Sequence, residues 1–490
     1  MNSIFIIISA LLTGISQQPW GYGFLCWFSL FPVIYVFDTN LKYKESLKYS
    51  FLFGFTYHIS FMYWLSGNIG IDSIALKYFT AILVSLFLGL NYIIIFTTFT
   101  FVKKYFTNSY KMYLLPFIFV SIEYLRSFGL YGFTWNSLSY TQTDFLVPSQ
   151  IIEYTGIYGL TFWVVTLNVI IYDVYNSFSK NKIYSLFIIF VLPWIIGALI
   201  KSNIPYSEST LRTKIIQPNI HLNDRRQNIN KSLDSLIHLS TITNNDSIDL
   251  IIWPETSISS LFSINGKYNY NKSKKMNQFL SDNINLVSGI ESRENNERYN
   301  SSILFYGDSI ASIYNKQRLV PNVEYTPKIF DKIGYNLGIA NFGIGNERTM
   351  FNIDEIKFSS MVCLESIFPN PTRLFVNEGA SFLVYVVNDG WYTSAPEPQQ
   401  HAKRCIYRAI ENRRYVLRSA NTGISMVVNQ NGNIVNQLQL NKSGIITSNI
   451  EIINSKTFYT KYGDVFSILN LIILLIIAIF NLRKQKLING

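Results

Sequence analysis

The sequence is poor in cysteine and in charge, and each shortage removes a class of protein. Three cysteines in 490 residues, Cys26, Cys363 and Cys405, are too few and too irregularly spaced for a disulfide framework or a CxxC metal site. A free thiol therefore needs another explanation. Charged residues make up only 14% of the chain against 49% hydrophobic ones, which is too apolar for one ordinary soluble domain. The formal charge of +11 invites a nucleic-acid reading, but no basic helix with interleaved aromatic residues is present, and many Lys and Arg flank hydrophobic segments. That placement fits membrane orientation. The apolar runs themselves hold few charges, which argues against a transporter.

What is present divides into two environments. Apolar runs long enough to span, roughly 17 to 25 residues, fall at 20–38, 50–66, 78–102, 111–126, 156–176, 183–200 and 464–482. A shorter run, Ile4 to Ile15, has the length of a signal-peptide core but lacks a basic flank before it and an A-x-A site after it, and counts as the first helix. With eight helices, the segments carrying Lys42, Lys44 and Lys48, then Lys103 and Lys104, then Lys180 and Lys182, and the tail with Arg483, Lys484 and Lys486 share one side, the cytoplasm. The expected division is a membrane domain of seven helices over 1–200, an extracytoplasmic domain over 201–462, and a last helix with a basic tail over 463–490.

Within the membrane part, Glu123 and Arg126 sit three residues apart, on one helical face. Two readings stand: an ion pair securing the helix end, or an Arg126 that meets a phospholipid phosphate. The loop from Gly129 to Phe145, with Tyr131, Phe133, Trp135 and Tyr140, has the aromatic content of an interfacial belt. His58 reads as a hydrogen-bonded interior histidine.

From Thr213 onward, short β-rich runs such as KIIQPN, DLIIWPE, SIASIYNK, KFSSMVCLES and SFLVYVVND alternate with polar stretches. Helical stretches fit between them, notably 228–243 and 399–411. Strands packed between helices follow, with functional residues at strand ends. Three such ends carry Glu255, Lys316 and Cys363. Alone, each is bland: a small buried hydrophobe or a solvated strand-end charge. Together they supply a nucleophile, a cation for developing negative charge and a carboxylate to accept a proton, the set that acyl transfer needs. The Leu364 backbone N–H is the expected second oxyanion donor.

WPET at Glu255, YNKQRLVP at Lys316 and CLESIFP at Cys363 resemble the Glu-Lys-Cys triad of the carbon-nitrogen hydrolase (nitrilase) superfamily. With EYLRS at Glu123, GFTW at Gly132, NDGWYT at Asn388 and RSANTGIS, nearly the whole chain is similar to the apolipoprotein N-acyltransferase family. The resemblance implies a polytopic α-helical membrane protein of about eight transmembrane helices with an inserted nitrilase-like αββα sandwich, in a bacterial inner membrane with the catalytic domain on the periplasmic side. It implies Glu324 and Glu365 as supporting residues that position Lys316 and shape the surroundings of the thiolate. It also implies a phospholipid acyl donor, a diacylglyceryl-lipoprotein acceptor, and neither metal nor nucleotide. Val323 stands where the family usually has glycine and Leu364 where it often has an aromatic residue, and the QPNI segment lacks a nearby tryptophan. Segments 261–275 and 325–347 are either lids over a lipid-facing cleft or inert insertions.

Rival readings remain at this point. A membrane-anchored amidase would use the same triad with water as acceptor, although one helix would suffice to anchor it. A papain-like dyad would pair Cys363 with His401. A transporter or receptor would use the outer domain only to bind a ligand. Cys405 reads as a packed thiol and Cys26 as part of a membrane helix.

Overall fold

A computed structural model of the chain describes residues 1–106, 110–129, 131–203, 207, 209–221, 229–242, 247–264, 267–269, 274–294, 297–321, 323–325, 341–392 and 394–489. The chain divides into two compact units, Met1–Ile204 with Tyr462–Gly490, and Pro205–Lys461.

The first unit is helical. Among the described residues, three helices are long and apolar enough to cross a membrane by length and composition: Ile74–Tyr105, Tyr158–Asn176 and Lys180–Ser202. The other expected spans are helical but shorter, interrupted or more polar. Segment 20–38 is split into a 3-10 turn over Tyr22–Trp27 and a helix over Phe31–Asp38 with a proline in its first turn. Segment 111–126 is a 3-10 turn followed by the 11-residue helix Leu115–Leu125. Asn2–Ser16, Tyr43–Met62 and Val465–Asn489 complete the set. The Tyr43–Met62 and Ile74–Tyr105 helices touch backbone to backbone at two glycines. A Cβ on Gly54 would lie 2.4 Å from the Gly89 carbonyl oxygen, so any side chain there, even that of alanine, would push the helices apart.

The loop after the Leu115–Leu125 helix is not an aromatic belt. Tyr131 is 44% exposed, but Trp135 and Tyr140 are each only 3% exposed, and Thr134 to Thr143 is buried throughout. Irregular backbone at this depth is tolerated only where the protein itself answers its polar groups. Glu123 answers several of them. Its carboxylate accepts hydrogen bonds from the Ser137 hydroxyl at 2.5 Å, the Thr161 hydroxyl at 2.8 Å and the Leu138 N–H at 3.0 Å. Gln17 adds a bond to the Ser137 carbonyl at 2.9 Å, and the Tyr57 hydroxyl donates to the Asn136 carbonyl at 3.1 Å. His58 is interior, as expected, with ring nitrogens 2.7 Å from the Gly54 carbonyl and 2.5 Å from Asn136 Nδ2. The ion-pair reading of Glu123 and Arg126 fails for the same reason: the carboxylate is committed to the loop. Arg126 Nε and Nη2 are buried without a hydrogen-bond partner among the described residues.

The second unit is an αββα sandwich. Its first sheet runs β14(Gly444–Glu451), β1(Thr210–Gln217), β2(Leu250–Ile252), β5(Asn285–Glu294), β3(Ile258–Ile264), β4(Lys267–Asn269), with β6(Glu297–Tyr306) beside β5 and β7(Ser309–Asn315) beside β6. The second runs β13(Ile434–Gln437), β12(Met426–Val428), β11(Tyr415–Ala420), β10(Phe382–Val387), β9(Ile356–Val362), β8(Phe351–Ile353). β10 reads FLVYVV, is buried along its length and pairs in parallel with both β9 and β11, as a continuous apolar strand should. The sheets meet face to face, with Ser302 and Ser360 hydroxyls 2.6 Å apart and the Ser419 hydroxyl donating to the Ile216 carbonyl at 3.0 Å. Helices Ile229–Thr241 and Lys274–Leu280 cover the first sheet through Leu236, Met276, Phe279 and Leu280, packed with Trp253 and Ile216. Helices Pro369–Asn377 and Glu397–Asn412 lie in the chain between strands of the second sheet. Of the two suspected lids, 261–275 contains the end of β3 and the antiparallel β4, while 270–273 and 326–340 lie outside the described residues.

Glu123→Ala should lower the stability of the membrane unit by on the order of 3 kcal/mol, because three buried donors lose their acceptor together. Thermal unfolding in detergent measures this, and an unchanged midpoint would contradict the role given to the carboxylate.

Candidate active site

Glu255, Lys316 and Cys363 converge. Glu255 lies three residues beyond the end of β2, Lys316 directly after β7, and Cys363 directly after β9. The approach of Glu255 depends on Gly289 of β5, where a Cβ would stand 2.4 Å from the Glu255 Cα. Two residues of the site hold left-handed backbone, Thr256 at φ 54 and Cys363 at φ 51. Such conformations cost about 1–3 kcal/mol each and persist where the surroundings over-determine them.

The polar centre is a buried lysine among carboxylates. Lys316 Nζ lies 2.8 Å from Glu324 Oε1 and 3.9 Å from Glu255 Oε1. Asn300 Nδ2 donates to Glu255 Oε1 and to Glu324 Oε1, each at 2.7 Å, so one amide spaces the two carboxylates. Glu324 Oε2 accepts the Val320 N–H at 2.7 Å, and the Cys363 thiol and the Glu255 carboxylate interact electrostatically. The loop carrying Glu324 turns tightly, with the Val323 N–H 3.2 Å from the Val320 carbonyl, and Val323 is not among the described residues with left-handed φ. A β-branched residue therefore fits where a glycine was expected.

Glu365 ties the Lys316 segment to the nucleophile turn. Its Oε1 accepts from the Tyr314 hydroxyl at 2.6 Å and from the Gln317 and Arg318 N–H groups at 2.9 and 3.2 Å, while Oε2 accepts the Val362 N–H at 2.8 Å. One carboxylate thus fixes the chain on both sides of Lys316 and Cys363. Asn300 and Tyr314 were not singled out from sequence. The available signal was weak: a polar side chain immediately before the SSILFY run, and a tyrosine two residues before the lysine.

The electrostatics keep the resting site ready but unreactive. Burial pushes the Cys363 thiol well above its ordinary value, and the Glu255 charge adds to this, while Lys316 pulls the other way. Burial alone would lower Lys316, but the Glu324 and then the Glu255 carboxylates hold it above its ordinary value, so it stays charged. Burial also raises Glu255, against the pull of Lys316, which makes it a better proton acceptor. A neutral thiol facing a basic carboxylate, with a fixed cation alongside, is an arrangement in which a thiolate can form as the proton leaves for the carboxylate. All three cysteines are free, and Cys26 and Cys405 are buried.

His401 does not serve the thiol. Its Nε2 lies 3.2 Å from the Cys363 carbonyl oxygen and 3.0 Å from the Ser366 hydroxyl, and Nδ1 lies 2.8 Å from Asp389. The papain-like pairing gives way to a contact with the backbone of the nucleophile.

Alkylation of Cys363 by iodoacetamide should therefore keep accelerating up to and beyond pH 9.0, the ordinary thiol value, and Lys316→Met should slow it at every pH by removing a nearby positive charge that favours thiolate. A rate that levels off between about pH 6 and 8 would contradict this assignment of the proton.

Comparison with known proteins extends the picture to the whole chain. The sequence model described as the apolipoprotein N-acyltransferase N-terminal domain matches residues 9–170, and that of carbon-nitrogen hydrolase matches residues 212–454. A protein named apolipoprotein N-acyltransferase from Thermotoga maritima is 28% identical over 497 residues, covering 99% of this chain and 94% of its own. One of the same name from Rickettsia prowazekii is 28% identical, covering 97% of each chain, and one from Geobacter metallireducens is 29% identical over 72% of this chain and 70% of its own. The two domain matches follow one another in this order along most of the sequence, as do the full-length relatives, and the chain belongs to the apolipoprotein N-acyltransferase family.

Proposed function

We propose that the chain moves an acyl group from a phospholipid, through a thioester on Cys363, to the α-amino group of a lipoprotein's N-terminal diacylglyceryl-cysteine. The observation that carries this is the buried Lys316 held 2.8 Å from Glu324 and 3.9 Å from a Glu255 that interacts electrostatically with the Cys363 thiol. The names of the full-length relatives supply the acceptor class.

In the first half-reaction the Cys363 sulfur attacks the phospholipid ester carbonyl as its proton passes to Glu255. Lys316 and the Leu364 N–H receive the oxyanion. The tetrahedral adduct collapses, the glycerol oxygen leaves with the proton from Glu255, and a lysophospholipid departs. In the second, the neutral α-amine attacks the thioester, gives its proton to Glu255 and displaces Cys363 thiolate, which is reprotonated. Water must stay out between the two steps, because it would hydrolyse the thioester.

We place the eight apolar segments as spans of a bacterial inner membrane, with the basic loops inside and the catalytic unit on the periplasmic side. Arg126 then answers the phosphate of a phospholipid headgroup. Its support is a guanidinium whose Nε and Nη2 are buried and unpartnered among the described residues, in an apolar unit where a lone cation is costly.

Intact-protein mass spectrometry after incubation with phospholipid should find a hydroxylamine-sensitive acyl adduct on wild type and none on Cys363→Ala. Adding a diacylglyceryl lipopeptide should discharge it as an N-acyl peptide. No adduct on wild type would defeat the reading, and free fatty acid in place of acylated peptide would make the chain a hydrolase. Arg126→Ala should raise the KM for phospholipid about tenfold, the loss of about 1.4 kcal/mol of binding, with kcat retained; an unchanged KM would remove Arg126 from the lipid site.

A further inference from the structure

Behind the nucleophile lies a second buried charged chain that the acyl-transfer steps do not use. Arg418 in β11 directs Nη2 to Asp389 Oδ2 at 2.8 Å, and Asp389, just past β10, holds His401 Nδ1 with its other oxygen at 2.8 Å. His401, on the helix Glu397–Asn412, brings Nε2 to 3.0 Å from Ser366 Oγ and 3.2 Å from the Cys363 carbonyl oxygen, and the Ser366 hydroxyl donates to the same carbonyl at 3.0 Å. Arg418 and Ser366 are fully buried, and Asp389 and His401 nearly so. Asp389, Glu397 and His401 have the donor types of a cation site, with donor atoms within 4.8 Å of one another. A cation already sits there, the guanidinium of Arg418.

The hydrogen placement follows from the acceptors. Burial opposes ionisation of Asp389, but Arg418 and then His401 bring it down to about 2, so it is a carboxylate and Nδ1 carries a proton toward it. On the far side, the Cys363 carbonyl can only accept. It takes the Ser366 hydroxyl; burial holds His401 below its ordinary value, so near neutral pH the ring seats Ser366 and the carbonyl by contact, and it adds an Nε2 proton only once the imidazole is charged. The carbonyl of Cys363 and the N–H of Leu364 belong to one planar peptide unit and point in opposite directions. Pinning the oxygen therefore fixes where the N–H points, and a donor on the oxygen polarises the N–H at the other end. Without such a tether, the left-handed backbone at Cys363 would be free to relax.

We infer that Arg418, Asp389, His401 and Ser366 form a positioning chain whose task is to aim the Leu364 N–H at the oxyanion, with His401 as the link that touches the nucleophile's peptide. The inference rests on the acyl-transfer reading of Cys363. His401 acts on the peptide and not on the sulfur, and this separates two chemistries of the same thiol. Acylation passes through an oxyanion, whereas alkylation by iodoacetamide is a direct displacement that forms none.

The test compares wild type, His401→Ala and His401→Gln as full-length protein in detergent, measuring the rate of the phospholipid-derived adduct and the rate and pH profile of iodoacetamide alkylation. His401→Ala should slow acylation by about 10² to 10³, the usual loss for one misplaced oxyanion donor, with alkylation and its pH profile unchanged. His401→Gln, whose side-chain amide can donate to the same carbonyl, should recover part of the rate. Acylation at the wild-type rate in His401→Ala would overturn the inference, and so would a parallel fall in alkylation in both variants, which would place the imidazole on the thiol or mark a collapsed site. Wild type that alkylates but never acylates would instead overturn the acyl-transfer reading on which this rests.

Discussion

The constraint on which the catalytic unit depends is the burial of one ammonium among carboxylates. Removed from water, Lys316 is costly unless its charge is matched, and matching it requires Glu324 at 2.8 Å, from the following loop, and Glu255 at 3.9 Å, from beyond another strand. Two carboxylates beside one lysine leave an excess of negative charge, which Asn300 spaces and hydrogen-bonds. Burial raises the thiol of Cys363, and the Glu255 charge adds to it. The cluster holds the site together around a thiol that its burial keeps protonated.

Two further carboxylates act through backbone. Glu365 gathers the Val362, Gln317 and Arg318 N–H groups, so the turn bearing the nucleophile and the segment bearing the lysine cannot shift independently. Asp389 works through His401 on the carbonyl side of the Cys363 peptide. Between them the turn is held from both ends, which lets a cysteine keep a left-handed φ of 51. In the helical unit Glu123 plays a comparable part, anchoring a polar loop among apolar helices. Buried carboxylates that organise backbone donors thus recur in both units.

The sequence by itself determined the division into apolar and polar regions, because a membrane-spanning run and an alternating strand have different periods and lengths. It also placed Glu255, Lys316 and Cys363 each after a readable strand run, as the strand boundaries have it. Glu324 and Glu365 came only with the family resemblance. What the tertiary structure decided was which polar groups meet. Asn300 sits in a strand whose neighbours look like core, and Arg418 and Asp389 lie in or beside buried strands far along the chain from Cys363, so no local pattern announces them. Glu123 and Arg126 show the same limit: helical spacing put them on one face, but the carboxylate went to a loop that returns into the bundle. Spacing fixes which neighbours a residue has along one helix or strand, whereas the partner of a buried charge is whichever group the packing of distant elements brings within reach before water is lost.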